Sequence, residues 1–144
     1  MNYLIMCIGN REGGDDAIGP YVADKLQNFF TVIDCGTTPE NYTSIVKKQK
    51  QKNLIIIDAV EMNLQPGEIR IVPKEKIGVM TISTHRIPIS VLIEYLEQYA
   101  ENIYFIGIQP KTMSGKMTSI VKNSVDKLVE IIKNDNLEQI EILQ

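Results

Sequence analysis

Short apolar runs alternate with longer amphipathic segments along the whole chain. The short runs are rich in β-branched residues and predict strands; they cover residues 3–8, 31–34, 54–58, 68–72, 103–108 and 138–143. The longer segments carry apolar positions at helical spacing and predict helices at 16–29, 40–51, 88–100 and 118–134. This alternation indicates an α/β sandwich around a largely parallel sheet.

Two of the strands differ in their pattern. Residues 54–58 read Leu-Ile-Ile-Ile-Asp, a continuous apolar run that is typical of a central strand covered on both faces. Residues 68–72 read Glu-Ile-Arg-Ile-Val, and this alternation predicts an edge strand with one buried face.

Length and charge narrow the class of protein. A chain of 144 residues fits one domain over residues 1–144. A net charge of -3 and a pI near 5.2 give no general attraction to nucleic acid or to an anionic membrane. The run at 3–8 is too short for a signal peptide or a membrane span, so we expect a cytoplasmic protein. The two cysteines, Cys7 and Cys35, are expected to be reduced thiols.

Candidate site residues follow several of the predicted strands. The first strand is followed by Asp15 and Asp16, and the third ends at Asp58. The only histidine, His85, precedes the third helix. Ligands of an open parallel sheet bind in the crevice beyond the carboxyl ends of the strands, so these groups are expected to converge there.

The segment after the first strand reads GNREGGDDAIGP and permits more than one interpretation. Glycines between a strand and a helix suggest nucleotide binding, but the spacing is not Gly-x-Gly-x-x-Gly. Asp15 and Asp16 would also place negative charge where a phosphate needs a positive helix end, so nucleotide binding is the weaker interpretation. Helix capping would explain one aspartate, Asp15, and leaves Asp16 available for another role.

Asp16, Asp58 and His85 have the chemistry of metal ligands. Converging carboxylates repel each other unless a cation or a shared proton neutralises them, and two carboxylates with a neutral imidazole suit Ni²⁺, Zn²⁺ or Fe²⁺. Three protein ligands would leave a position open for substrate. A Cys-His-Asp hydrolase built on Cys35, His85 and Asp58 is a third interpretation, but its surroundings match no known nucleophile motif.

Five segments resemble the maturation endopeptidases of [NiFe] hydrogenases. In chain order they read GNREGGDDAIGP, IDCGTTPEN, IIIDAVEMNLQPGEIRIV, STHRIP and FIGIQP, and they are most similar to the branch that serves formate-hydrogenlyase-type and other energy-converting hydrogenases. The resemblance runs in register over about residues 3 to 110. It implies an α/β/α fold, a three-layer sandwich around a twisted, mainly parallel sheet. It also implies that Asp16, Asp58 and His85 form the catalytic metal site, with Asp15 as a helix cap and the glycines open to a substrate backbone.

In that family the nickel is understood to arrive with the substrate, a large-subunit precursor of the hydrogenase, from which the protease removes a C-terminal extension. The resemblance therefore implies nickel presented by the precursor and no organic cofactor. Hydrolysis would proceed either by nickel polarising the carbonyl or a water, or with a carboxylate such as Asp16 as general base. A nickel-binding chaperone or checkpoint that does not cut the precursor is the alternative function. The chain departs from the family pattern at Ala17, at Asn63 and in a short loop after Pro110. The short loop is expected to affect which hydrogenase partner is accepted.

Overall fold

A computed structural model describes residues 2–49, 52–80 and 87–144, and within them one sheet holds five strands. The strands are β1 (Tyr3–Ile8), β2 (Thr31–Gly36), β3 (Asn53–Ala59), β4 (Ile69–Ile71) and β5 (Asn102–Ile108), in the spatial order β2-β1-β3-β5-β4. All neighbours are parallel except β4, which runs antiparallel to β5. The prediction of a mainly parallel sheet is confirmed, and the continuous apolar run lies in β3 at its centre.

The helices are α1 (Ile18–Leu26), α2 (Thr43–Lys48), α3 (Lys74–Met80), α4 (Ile89–Leu96) and α5 (Ser119–Lys133). Turns of 3-10 helix precede α1 and α2, at Gly14–Ala17 and Pro39–Tyr42. Four of the five helices among the described residues fall within the predicted segments. The sequence pattern did not predict α3, because this helix is short and has a glycine, Gly78, in its interior. No helix within the described ranges is long and apolar enough to cross a membrane.

Alternate residues of the central strands face two separate cores. In β1, Ile5 and Cys7 pack with α1 and α5 on one face of the sheet. Leu4 and Met6 point to the other face, where they pack with residues of α2, α3 and α4. The sheet therefore lies between two helical layers, which is the predicted three-layer α/β/α sandwich. Each fully buried Leu or Ile contributes about 1.5–3 kcal/mol to folding, so the two cores hold the strand ends in place.

The predicted sixth strand at 138–143 is wrong. Leu137–Gln139 forms a turn of 3-10 helix, and after it only an isolated bridge joins Ile142 to Ile71. Leu137, Ile140 and Leu143 are the buried residues of this segment. Their spacing of three residues fits a turning, irregular backbone, whereas a strand with one buried face buries every second residue. The partner strand β4 has only three residues, which leaves no room for a longer ladder.

The strand order places a topological switch point between β1 and β3. From β1 the chain crosses to β2 on one side, and β3 then pairs with β1 on the other side. Diverging connections leave a crevice beyond the carboxyl ends of two such strands. The loops after β1, β2, β3 and β5 all begin at this edge of the sheet.

Candidate functional site

Asp15 anchors the loop that follows β5. Its side chain is fully buried, and its Oδ2 accepts hydrogen bonds from the backbone N–H groups of Lys111 (2.8 Å) and Thr112 (3.1 Å). Its Oδ1 accepts a bond of 2.7 Å from the N–H of Thr118, whose hydroxyl contacts both carboxylate oxygens at 3.0–3.1 Å. The Asp15 N–H donates in return to the Thr112 carbonyl at 2.8 Å.

The prediction that Asp15 caps its own helix is wrong. Neither the turn Gly14–Ala17 nor α1 has a side-chain cap. Asp15 instead binds at the start of α5, because Thr118 is the residue just before that helix. A negative charge at a helix N-terminus is favourable there. The carboxylate therefore joins the loop after β1 to the loop after β5.

Asp16 is half-buried and points back over the end of β1. Its Oδ2 accepts a 3.0 Å hydrogen bond from the Asn10 N–H. The turn Gly14–Ala17 contacts β3, which brings Asp16 to the side of the crevice where that strand ends. The structure therefore places Asp16 at the switch point, as the sequence predicts.

Asp58 lies at the same edge, in β3, opposite Gly107 of β5. It is 1% exposed, and it has a hydrogen-bonding or electrostatic interaction with another group. Asp58 and Asp16 thus belong to adjacent elements around the β1–β3 crevice. The third predicted ligand, His85, lies outside the described residues.

The glycines after β1 make room for the protein's own backbone. Gly9 has φ +153°, and a Cβ there would collide with the Asp16 carbonyl oxygen. A Cβ on Gly14 would lie 2.6 Å from the backbone nitrogen of Ser114, in the loop after β5. At both positions the space is filled from within the chain, so these two glycines are not open to a substrate backbone.

Gln109 holds the loop after β3 and was not predicted from the sequence. It is 3% exposed, and its Oε1 accepts from the N–H groups of Met62 (2.7 Å) and Leu64 (3.3 Å). Its Nε2 donates to Glu61 at 2.9 Å, and Glu61 also accepts from the N–H of Asn63 at 2.8 Å. The signal in the sequence was a polar residue directly after an apolar strand, but this signal does not identify the hydrogen-bond partners of Gln109.

The departure at Asn63 is accommodated locally. Asn63 has φ +59°, a left-handed conformation that asparagine adopts more readily than most residues. The bond between its N–H and Glu61 closes the turn. Gln109 and Glu61 thus give the loop its shape despite the absence of a glycine at position 63.

A second polar cluster, also missed by the sequence, lies where β1 and β2 end. Arg11 donates two hydrogen bonds to Asp24, at 2.9 and 3.0 Å, and one of 2.6 Å to Asp34. The hydrogen bond from Arg11 lowers the pKa of Asp24. Asp34, which lies in β2, is therefore held by a cation.

Cys35 is not an activated nucleophile. The residue is 1% exposed, and burial, followed by the charge of Asp34, raises the pKa of its thiol to about 12. A thiol with this pKa stays protonated at neutral pH, whereas a catalytic cysteine needs a thiolate. The Cys-His-Asp interpretation is therefore disfavoured. Both cysteines are free thiols.

The donor chemistry of the crevice suits a hard or borderline metal ion, since Asp16 and Asp58 supply carboxylate oxygens. Within residues 2–49, 52–80 and 87–144, no group of three His, Cys, Asp or Glu residues is placed to hold a metal. The proposed ligand set needs His85, so the metal site built from Asp16, Asp58 and His85 stays a prediction.

Fold and site together define an α/β protein with two aspartates at the switch point of a mainly parallel sheet. The family model for the HycI hydrogenase maturation proteases matches residues 21–135. The hydrogenase 3 maturation protease of Escherichia coli is 34% identical over 137 residues, which cover 90% of this chain and 88% of that protein.

Solved structures agree. The endopeptidase HycI from Escherichia coli has a TM-score of 0.90 at 32% identity, covering 100% of this chain and 97% of that one. HycI from Thermococcus kodakarensis, a [NiFe] hydrogenase maturation protease, has a TM-score of 0.81 at 27% identity, covering 94% and 92%. The chain belongs to the hydrogenase maturation protease family and is a hydrolase of the peptidase class.

Proposed function

We propose that this protein is an endopeptidase that removes the C-terminal extension from a nickel-loaded large-subunit precursor of a [NiFe] hydrogenase. The observation that supports this most is the buried Asp58 at the end of β3, beside the turn that carries Asp16, in a chain of this family. We also propose that it acts in the cytoplasm, as its sequence suggests.

The nickel in this proposal is part of the substrate. Asp16, Asp58 and His85 would contact it when the precursor docks in the crevice. Two carboxylates that face one crevice repel each other in water-poor surroundings, so a divalent cation would relieve that repulsion. Precursor that lacks nickel should therefore bind more weakly than loaded precursor.

Two routes to hydrolysis fit this arrangement. The bound nickel would act as a Lewis acid on the scissile carbonyl or on a water molecule. In the other route Asp16, which is partly exposed and accepts one hydrogen bond from Asn10, would take a proton from the attacking water. The second route predicts that Asp16→Asn abolishes cleavage while loaded precursor still binds.

The test is the intact mass of the cognate precursor after incubation with this protein, with nickel-loaded and nickel-free precursor compared. We expect loss of a C-terminal fragment only from the loaded sample. Asp16→Asn and His85→Ala should stop cleavage without unfolding the protein. Asp126→Asn, on the exposed face of α5, serves as the matched control and should cleave normally.

Cleavage of the precursor by a folded His85→Ala variant would refute the proposed metal site. The crevice offers no activated cysteine, since Cys35 is buried and protonated. This observation keeps the checkpoint function as a second candidate. Tight binding of loaded precursor without any change in its mass would favour the checkpoint.

A further inference from the structure

Asp15 is a buried acidic residue that neither route to hydrolysis uses. Its side chain is 0% exposed, and both of its oxygens accept hydrogen bonds from the segment 111–118. A carboxylate enclosed in this way does not contact a substrate that docks in the crevice. Any contribution of Asp15 to peptide cleavage must therefore act through a neighbouring residue.

The neighbouring residue is Asp16, which follows Asp15 in the same turn of 3-10 helix. The sequence of this turn does little to fix its own conformation. The turn has no side-chain cap, and it begins at Gly14, whose φ of +62° a glycine adopts freely. Short 3-10 turns also have poorer hydrogen-bond geometry than α-helices. The turn therefore depends on contacts with other segments to hold the Asp16 carboxylate in one place.

The contacts of Asp15 connect the two sides of the strand that carries Asp58. β3 lies between β1 and β5, and Asp15 joins the loop after β1 to the loop after β5. A Cβ on Gly14 would lie 2.6 Å from backbone atoms of Ser114, so the two loops are packed against each other. The turn that carries Asp16 also contacts β3. This link therefore fixes Asp16 relative to the carboxyl end of β3, where Asp58 lies.

We propose that Asp15 is a positioning residue of the peptidase site, which holds the Asp16 carboxylate at the distance from Asp58 that cleavage of the precursor requires. This inference rests on the proposed function. The Thr118 hydroxyl, which contacts both oxygens of Asp15 at 3.0–3.1 Å, belongs to the same link. Misplacing a catalytic group by about 1 Å lowers a reaction rate by about 100-fold, so a loosened link should be visible in kcat.

The experiment measures kcat and KM for cleavage of nickel-loaded precursor, well below the thermal midpoint of each variant. Asp15→Asn should lower kcat by about 100-fold and change KM by less than about 3-fold, because the precursor meets the same surface while Asp16 is displaced from the reacting bond. Thr118→Val removes only the hydroxyl and should lower kcat by about 3- to 10-fold. Thr118→Ser keeps the hydroxyl and should match wild type.

A matched control separates positioning from loss of stability. Leu128→Ala removes a fully buried side chain of α5, and core Leu→Ala substitutions destabilise proteins about as much as the disruption of a buried, hydrogen-bonded charge. This variant should lower the thermal midpoint to a degree similar to Asp15→Asn while it keeps the wild-type kcat. A purely structural role of Asp15 would instead give the two variants the same kcat.

Three results would overturn the inference. They are a wild-type kcat in folded Asp15→Asn, a fall in kcat of equal size in Leu128→Ala, and a fall in Thr118→Ser as large as that in Thr118→Val. If Asp15→Asn does not fold, equal kcat values for Thr118→Val and wild type overturn the inference in its place. A wild-type protein that leaves nickel-loaded precursor uncut would instead refute the proposed function, and the positioning role with it.

Discussion

Replacing Asp15 with asparagine should loosen the junction between the loops after β1 and β5. The carboxylate receives three backbone N–H groups and one hydroxyl, all from the segment 111–118. Asparagine keeps the shape of the side chain but removes its charge and turns one acceptor oxygen into a donor NH₂. With either orientation of the amide, at least one buried N–H of the loop faces a nitrogen.

The expected loss of stability follows from these contacts. One orphaned buried donor costs about 1–3 kcal/mol, and the remaining bonds drop from charge-assisted to neutral strength, about 1 kcal/mol each. The sum is about 3–5 kcal/mol, a large part of the total stability of a domain of this size. It corresponds to a fall in thermal midpoint of about 10–15 °C.

Calorimetry measures the thermal midpoint, and hydrogen exchange locates the change. Amides of residues 109–118 should exchange faster in Asp15→Asn, while those of α4, which lies in the opposite helical layer, should not. Thr118→Val is the graded control, because it removes the hydroxyl but keeps the backbone N–H, and should cost only about 1 kcal/mol. A fall of less than about 3 °C for Asp15→Asn would refute the reasoning.

Three further predictions concern single residues. Gly9→Ala should unfold or strongly destabilise the protein in denaturant titrations, because the added Cβ meets the Asp16 carbonyl. The control is Gly36→Ala, which is also at positive φ but has nothing within 4 Å of the added Cβ, and it should lose only about 1–2 kcal/mol of stability. Equal losses of stability in the two variants would contradict this prediction. Gln109→Leu should lose about 2–4 kcal/mol in the same assay, with the exposed Gln65→Leu near neutral as control. Cys35 has a folded pKa of about 12, above its ordinary 9.0, so its contribution to stability is complete below pH 9 and is lost as pH rises toward 12. The stability difference between wild type and Cys35→Ala should shrink above pH 9 by up to about 1.4 kcal/mol per pH unit, and a constant difference would contradict this pKa.

Hydrophobic pattern was sufficient to predict most of the architecture. The apolar run at 54–58 became β3, and the alternating run at 68–72 contains the edge strand β4. The crevice rule then placed Asp16 and Asp58 at one edge of the sheet, because the carboxyl ends of parallel strands share an edge whatever their loops contain.

Contacts that cross the chain were not predictable in this way. Asp15 lies about a hundred positions from Thr118, and Gln109 lies 47 positions from Met62. Periodicity reports only which face of a local element is buried. The sequence therefore suggested only a local role for Asp15, as a cap of the helix that follows it. The segment after Leu137 was wrongly predicted as a strand, because buried positions spaced by two and by three residues are hard to distinguish within six residues.

The anchoring of the loop after β5 has a consequence for its variation. At positions 111 and 112 Asp15 contacts backbone N–H groups, which every residue except proline provides. The side chain of Lys111 is exposed, so this position can vary while the loop keeps its attachment next to the crevice. The attachment thus depends on backbone N–H groups and on the Thr118 hydroxyl, so a loop grafted from a relative should keep it, provided that positions 111 and 112 are not proline and position 118 is threonine or serine.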